Sequence, residues 1–251
     1  MQIPNEWQPD KALLKDRVIL ITGAGDGIGA AVARQCAAHG ATVILLDKIV
    51  RKLEEVYDHI EADGSPQAAI YPMNLEGAAE KDYRDLANTI ETEFGRLDGL
   101  LHNAGFLGAL VPIAHLDAEL WYKIMQVNLN APFLMTRACL ALLMKSEDAS
   151  ILFTSDRVGR QGKAYWGAYA ASKAACENFM QVLADEMESN TPVRVNSLDP
   201  GAVATHLRNI AYPGENPETL ATPEDVVRPF LYLLGPDSRG ITGQQFDSPS
   251  L

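Results

Sequence analysis

Seven short apolar runs rich in β-branched residues recur at wide intervals along the chain, at 17–22, 41–46, 68–73, 97–102, 150–154, 193–198 and 240–246. Each has the length and composition of a buried strand. The segments between them, among them 28–39, 50–62, 78–94, 117–145 and 168–189, carry apolar residues at helical spacing. Strict alternation of this kind leaves few folds open, because strands joined through helices form βαβ units and a parallel sheet covered on both faces. The expectation is an α/β chain with a doubly wound parallel β-sheet of about seven strands and helices on both faces.

No linker rich in Gly, Ser or Pro and no internal repeat divides the 251 residues, so a single domain over 1–251 is expected. Residues 1–16, with Pro4, Trp7 and Pro9, read as an N-terminal arm packed on the outside. The segment 206–221 contains Pro213, Gly214 and Pro217 and is too broken for a long helix. It is expected to be a substrate loop, since loops at the carboxyl ends of strands build the site in such folds.

Charge and cysteine content narrow the function. With 21 Lys and Arg against 33 Asp and Glu, the net charge of −12 gives no footprint for nucleic acid and repels an anionic membrane surface. Cys36, Cys139 and Cys176 lie far apart with no CxxC or Cys/His pairing, which suits a reducing compartment rather than a disulfide scaffold or zinc site. The first residues lack the basic and apolar regions of a signal peptide. The longest stretch free of Asp, Glu, Lys and Arg, 99–116, carries two histidines, a proline and three glycines, and so cannot span a membrane. A cytoplasmic location is expected.

The first strand runs into Thr22-Gly-Ala-Gly-Asp-Gly-Ile-Gly-Ala30, which opens a helix. Glycines there allow a tight turn, let backbone approach a pyrophosphate and bring helix against strand, while the helix N-terminus offers free N–H groups. Asp47 follows 20 residues after Gly27, at the tip of the second strand. Together they form the Rossmann fingerprint in the context that gives it meaning. A carboxylate at Asp47 accepts hydrogen bonds from ribose hydroxyls but faces a 2′-phosphate as a like charge. At ~4 Å one such pair costs about 1 kcal/mol in water and about 4 at an effective dielectric of 20. NAD is therefore expected over NADP, with Lys48 next door able to offset part of the repulsion; the other reading of Asp47 is a cap for the helix beginning near Val50.

Tyr169 and Lys173 stand four residues apart at the start of a helical segment and so share a face. A nearby ammonium favours phenolate, which makes such a pair usable for acid/base work. Alone, such a pair is more often a surface contact than a catalytic one. Its company is more telling: Thr22-Gly-x-x-x-Gly-Ile-Gly29, His102-Asn-Ala-Gly105, Asn128 in Val-Asn-Leu-Asn, Ser155 after the fifth strand, Tyr169-x-x-x-Lys173, Arg194-Val-Asn-Ser197, Pro200-Gly-Ala-Val-Ala-Thr205 and Thr242-Gly-Gln244 occur in order. Over residues 15 to 247 this series resembles the short-chain dehydrogenase/reductase family. Within it, 153–186 is similar to the YciK-type bacterial oxidoreductases.

The resemblance implies an oxidoreductase that moves a hydride reversibly between a nicotinamide and a secondary alcohol or ketone, with Asn128, Ser155, Tyr169 and Lys173 as catalytic residues. Tyr169 would exchange a proton with the substrate oxygen and Lys173 would lower its pKa. Asn128 would hold a water of the proton relay, and a serine would donate to the carbonyl oxygen. Gly23, Gly25, Asp26, Gly27, Ile28, Asp47, Asn74, Leu75, Asn103, Ala104, Gly105, Tyr169, Lys173, Pro200, Gly201, Val203 and Thr205 would hold the dinucleotide. The implied partner is a small carbonyl or alcohol substrate, and the implied assembly a homodimer or homotetramer through the helices at 117–145 and 168–189, whose apolar residues equally suit an ordinary core. No metal is implied.

Three positions depart from the family pattern. His102 replaces the first Asn of the Asn-Asn-Ala-Gly turn, and Asn74 stands where an Asp usually accepts from the adenine amino group. The third departure bears on catalysis: the usual spacing puts the catalytic serine at Asp156, one residue after Ser155. Successive strand residues point to opposite faces, so the two cannot both aim at the substrate without a bend. The expected solution is that Ser155 donates while Asp156 turns toward Arg157 or Arg160; otherwise Asp156, kept neutral by an apolar pocket, itself donates. The rival expectation is a catalytically impaired NAD-binding regulatory or assembly protein. Arg157, Arg160, Lys163, Tyr165 and Trp166 read as a solvated loop, a subunit contact or a selector of anionic or aromatic substrates.

Overall fold

Val18–Thr22 (β1) is Val-Ile-Leu-Ile-Thr with all five side chains buried, so both of its faces must be covered. Ile19 and Ile21 enter one core, with Val32, Leu53 and Phe230. Val18 and Leu20 enter the other, with Tyr83, Met135 and Met180. The period of two along a strand thus feeds both layers from one short sequence. The structure, a computed structural model, describes residues 1–248; the last three residues of the expected 1–251 domain lie outside the described residues.

Thr42–Asp47 (β2), Ala69–Pro72 (β3), Gly99–His102 (β4), Ala149–Thr154 (β5), Val193–Asp199 (β6) and Gln245–Asp247 (β7) join β1 in a seven-stranded sheet. Its order is β3-β2-β1-β4-β5-β6-β7. Every pairing is parallel. The direction of winding reverses between β1 and β4, and the crevice at their carboxyl ends is where such a sheet accepts a ligand. Helices Gly27–Ala38 (α1), Val50–Ala62 (α2) and Val227–Leu234 (α9) cover one face. Helices Glu80–Phe94 (α3), Ala131–Leu143 (α5) and Gly167–Glu188 (α7) cover the other. Among the described residues, no helix is long and apolar enough to cross a membrane.

Three sequence expectations change. The long helix at 117–145 divides into Ala118–Met125 (α4), a wider π-helical turn at Gln126–Asn130 and α5. Pro132 explains the break: it has no N–H to give the carbonyl of Asn128, and its ring would strike that carbonyl in a regular helix. The freed Asn128 carbonyl instead accepts from Cys176 Sγ at 2.9 Å. The seventh strand shortens from 240–246 to Gln245–Asp247, because Gly240 and Gly243 take left-handed φ values of 78° and 68°. The arm 1–16 contributes Ile3, Leu13 and Leu14 to the core as well as packing Trp7 edge-on against Tyr232 at 5.1 Å.

Candidate active site

The turn from β1 into α1 is built at the limit of close approach. A Cβ on Gly29 would lie 2.1 Å from the carbonyl oxygen of Gly23, and one on Gly23 would lie 3.0 Å from Ala104 Cα. Thr22 Oγ1 accepts from the backbone N–H groups of Asn103 and Ala104, each at 3.0 Å. The Asn103 amide donates to Thr22 O at 3.2 Å and accepts from Thr154 Oγ1 at 3.3 Å. The ends of β1, β4 and β5 are thereby laced together. His102, one residue earlier, is buried with Nε2 2.8 Å from Thr136 Oγ1, and burial pushes its pKa down to about 3, so it is neutral at physiological pH.

Above this floor opens a cleft of about 270 Å³. Gly23, Asp26, Gly27, Ile28, Asp47, Asn103, Ala104 and Gly105 form its floor, and Pro200, Gly201, Val203 and Thr205 its opposite side. Asn74 and Leu75 lie in an adjoining recess of about 140 Å³ that shares Gly23, Asp47, Ala104 and Gly105. Gly25 is not in the cleft lining but packs against its ribose end: a Cβ there would lie 3.0 Å from Lys52 Cβ and 3.3 Å from Asp47 Cγ. Asp26 caps α1 by accepting from Gly27 N at 2.7 Å, and it pairs with Lys52 of α2. Lys52 holds the Asp26 carboxyl below its ordinary pKa against the opposing effect of burial. A glycine turn with no room for side chains, an exposed helix start and an elongated two-part cleft fit a dinucleotide.

Tyr169 and Lys173 lie on successive turns of α7, as their spacing requires, and both are buried in the cleft wall. Lys173 Nζ donates to Thr154 O at 2.7 Å and stands 5.7 Å from the Tyr169 ring centre. The Tyr169 hydroxyl donates to Asp156 Oδ2 at 3.2 Å. Burial raises the phenol pKa well above its ordinary value, and the Asp156 charge adds to the rise. Lys173 was expected to bring this pKa down, but the ammonium is drawn to the Thr154 carbonyl and does not overcome those two effects.

The order of Ser155 and Asp156 is the reverse of that expected. Ser155 borders the cleft, but its hydroxyl proton is given to Glu177 of α7. Glu177 is buried and also accepts from Ser197 Oγ at 2.7 Å and from Arg160 Nε at 3.1 Å. Arg160 reaches on to Asp247 at 2.6 Å, so neither it nor its neighbour Arg157 pairs with Asp156. Strand alternation then turns Asp156 into the cleft, where its other oxygen accepts from Val158 N at 3.0 Å and caps the single-turn helix Arg157–Arg160 (α6).

Asn128 also departs from expectation. Its side chain accepts from Phe106 N at 2.8 Å and donates to Phe106 O and Ser172 Oγ, each at 3.0 Å, which uses both of its donors and leaves a relay water only the second lone pair of Oδ1. It fixes the loop after β4 instead. Three residues that the sequence reading did not single out complete the site. Thr154 holds Lys173, Glu177 captures Ser155, and Asp199 at the end of β6 lines the cleft, with burial and the Asp156 charge raising its carboxyl pKa. None has a motif of its own; each is found only by following hydrogen bonds.

On the open side, Thr205 caps the helix His206–Ala211 (α8) by accepting from Arg208 N at 3.2 Å. Arg208 forms a double contact with Glu215 at 2.6 and 2.7 Å, and Lys163 donates to the Tyr212 hydroxyl at 2.8 Å. Most of the cationic rim is therefore already engaged. Among the described residues, no group of three His, Cys, Asp or Glu side chains converges as a metal site.

Comparison with known proteins agrees with this geometry. The model of the short chain dehydrogenase family matches residues 17–216. An uncharacterized oxidoreductase of Escherichia coli K12, YciK, is 47% identical over 242 residues, 96% of this chain and 95% of the relative. A short chain dehydrogenase structure from Pseudomonas syringae superposes with a TM-score of 0.96 at 53% identity, covering 97% of this chain and 99% of that one. Another, from E. coli CFT073 and complexed with NADPH, gives 0.92 at 48% identity over 96% and 100% of the two chains. With a family match over most of its length and relatives of this similarity spanning it end to end, the chain belongs to the short chain dehydrogenase family, oxidoreductases that act on CH–OH groups with a nicotinamide cofactor.

Proposed function

We propose that this chain transfers a hydride reversibly between NAD(H) and a small secondary alcohol or ketone, with Tyr169 as proton donor and acceptor. The single observation that carries the reading is the buried Tyr169–Lys173 pair at the inner end of the two-part cleft. A bound nicotinamide supplies or takes up the hydride. Tyr169 Oη gives the proton to the carbonyl oxygen in reduction and removes it from the hydroxyl in oxidation. Lys173, steadied by Thr154 O, keeps two further N–H donors for the ribose hydroxyls. Asp156, rather than Ser155, is the group beside Tyr169 on the substrate side. The test is NADH oxidation with a panel of carbonyl compounds: Tyr169→Phe should lose turnover by orders of magnitude and still bind NADH by calorimetry. Near-normal turnover in that variant would place the acid elsewhere.

NAD is supported as the preferred cofactor by the ribose end of the cleft. Asp47 spends one oxygen on Ile49 N at 3.1 Å and keeps the other for ribose hydroxyls. Lys52, which borders Gly25 together with Asp47, is paired with Asp26. A second reading, NADP(H), draws on the E. coli relative complexed with NADPH and on Lys48, which has no ion pair among the described residues. Affinities of the protein for NADH and NADPH, measured side by side, decide between them. A catalytically impaired binding protein is the less favoured reading, since both Tyr169 and Lys173 are in place. Exposed Phe133 on α5 and Val182 on α7 support assembly as a dimer or tetramer, and a cytoplasmic location fits the buried, unpaired cysteines.

A further inference from the structure

Hydride transfer to a carbonyl builds negative charge on oxygen, and a site for it normally offers a neutral or cationic donor there. This cleft offers a carboxylate. Asp156 Oδ2 sits 3.2 Å from the Tyr169 hydroxyl, and Asp199 borders the same space. No ion pair within the described residues reaches Asp156: Arg160 is held by Glu177 and Asp247, and Arg208 by Glu215. Lys173 gives one of its three donors to Thr154 O and forms no ion pair with Asp156. Ser155, which would have been the neutral donor, already gives its hydroxyl proton to Glu177. No ion pair among the described residues therefore neutralises the Asp156 carboxylate beside the proton-transfer group: Arg208, held by Glu215, and Lys173, bonded to a neutral carbonyl, border the same cleft without pairing with it, and a cationic group on the ligand can take that place.

We propose that the substrate is a vicinal amino alcohol or the matching α-amino ketone, with its oxygen on Tyr169 and its ammonium on Asp156. This rests on the oxidoreductase reading above and specifies its substrate class. The separation of 3.2 Å between the two protein atoms matches a pair of groups on adjacent carbons, whose oxygen and nitrogen stand about a hydrogen-bond length apart in the gauche arrangement. In oxidation Tyr169 first gives its own proton to solvent; the carbinol C–H bond then breaks and its electron pair passes as hydride to the oxidised nicotinamide, while the hydroxyl proton passes to the Tyr169 phenolate oxygen. The alcohol loses two electrons and becomes the amino ketone, and the nitrogen keeps its protons throughout. A bound ammonium also relieves Tyr169 of the charge that holds its proton, since Asp156 then has a closer partner.

The experiment compares 1-amino-2-propanol with 1,2-propanediol and 2-butanol as substrates of the wild-type protein with NAD. The amino alcohol should show kcat/KM about tenfold or more above both neutral alcohols. Asp156→Ser should invert that ratio, lowering the amino alcohol and raising the neutral ones, with folding checked by NADH calorimetry and thermal melting. Equal or better turnover of the neutral alcohols by the wild type overturns the amino alcohol assignment and leaves the oxidoreductase reading intact. If none of the three is turned over, calorimetry on the NADH-loaded protein settles the matter: 1-amino-2-propanol must bind more tightly than 1,2-propanediol, and lose that advantage in Asp156→Ser, or the assignment fails.

Discussion

Replacing Gly29 by alanine sets two effects of known sign against each other. Gly29 lies in the first turn of α1, and alanine in place of a helical glycine normally adds about 0.5–1 kcal/mol. The added Cβ would stand 2.1 Å from Gly23 O, 2.6 Å from Asn103 Nδ2 and 2.8 Å from Gly23 C. Two of these are backbone atoms of the phosphate turn, and the amide of Asn103 is tied to Thr22, so nothing flexible is available to move. Relief requires α1 to retreat by about an ångström, which costs roughly 1–3 kcal/mol or more in a packed interior. The clash wins, and Gly29→Ala should lower the melting temperature by several degrees at about 2–4 °C per kcal/mol for a chain of this size. It should also weaken NADH binding by about tenfold or more, because the turn and the helix start are displaced together. Gly77→Ala, where a Cβ meets nothing within 4 Å, should change neither. Thermal melts and calorimetry on both variants provide the check; a Gly29→Ala protein as stable and as tightly binding as wild type would refute the steric account.

Three further outcomes follow from the same coordinates. His102 is held neutral with a pKa near 3, so stability is full above the unfolded value of 6.5 and falls by roughly 1.4 kcal/mol for each pH unit below it; denaturation at pH 7, 6 and 5 should show that slope, and His102→Asn should flatten it. Asp148 accepts from Arg17 and Arg194, each at 3.0 Å with all three side chains at most 10% exposed, so Asp148→Ala should cost roughly 3–5 kcal/mol in urea unfolding by leaving two buried guanidiniums unpaired. Since burial and Asp156 hold the Tyr169 proton, oxidation of a neutral alcohol should keep rising with pH beyond the ordinary phenol value of 10, and Asp156→Asn should move that rise to lower pH in an initial-rate profile.

The layers of the fold were legible because they rest on local patterns. Buried runs of length five or six and the glycine turn after β1 each fix an element without help from distant residues. What stayed hidden depended on contacts across the sequence. The helix α9 is hard to read from sequence because it is only eight residues long, contains Pro229 and is flanked by one-turn helices on both sides. The break at 126–130 was foreshadowed by Pro132 but needed the partners of Asn128 to be understood. In the site, the spacing of Tyr169 and Lys173 put them on one helix face, and the accompanying motifs marked that face as the site. The choice between Ser155 and Asp156 did not, since it was decided by Glu177, a carboxylate 22 residues further on with no local signature.

The lacing of β1, β4 and β5 by Thr22, Asn103 and Thr154 makes the two sides of the cleft mechanically unequal. The floor is cross-linked by strand ends whose hydrogen bonds are sheltered and mutually supporting. The opposite wall, α8, is fastened by the Thr205 cap and by exposed side-chain tips such as Lys163 on Tyr212. Free energies of local opening follow the shelter of the bonds that must break, so they are high on the first side and low on the second. The cofactor floor is thus a fixed anvil, and α8 is the side of the cleft whose local opening costs less.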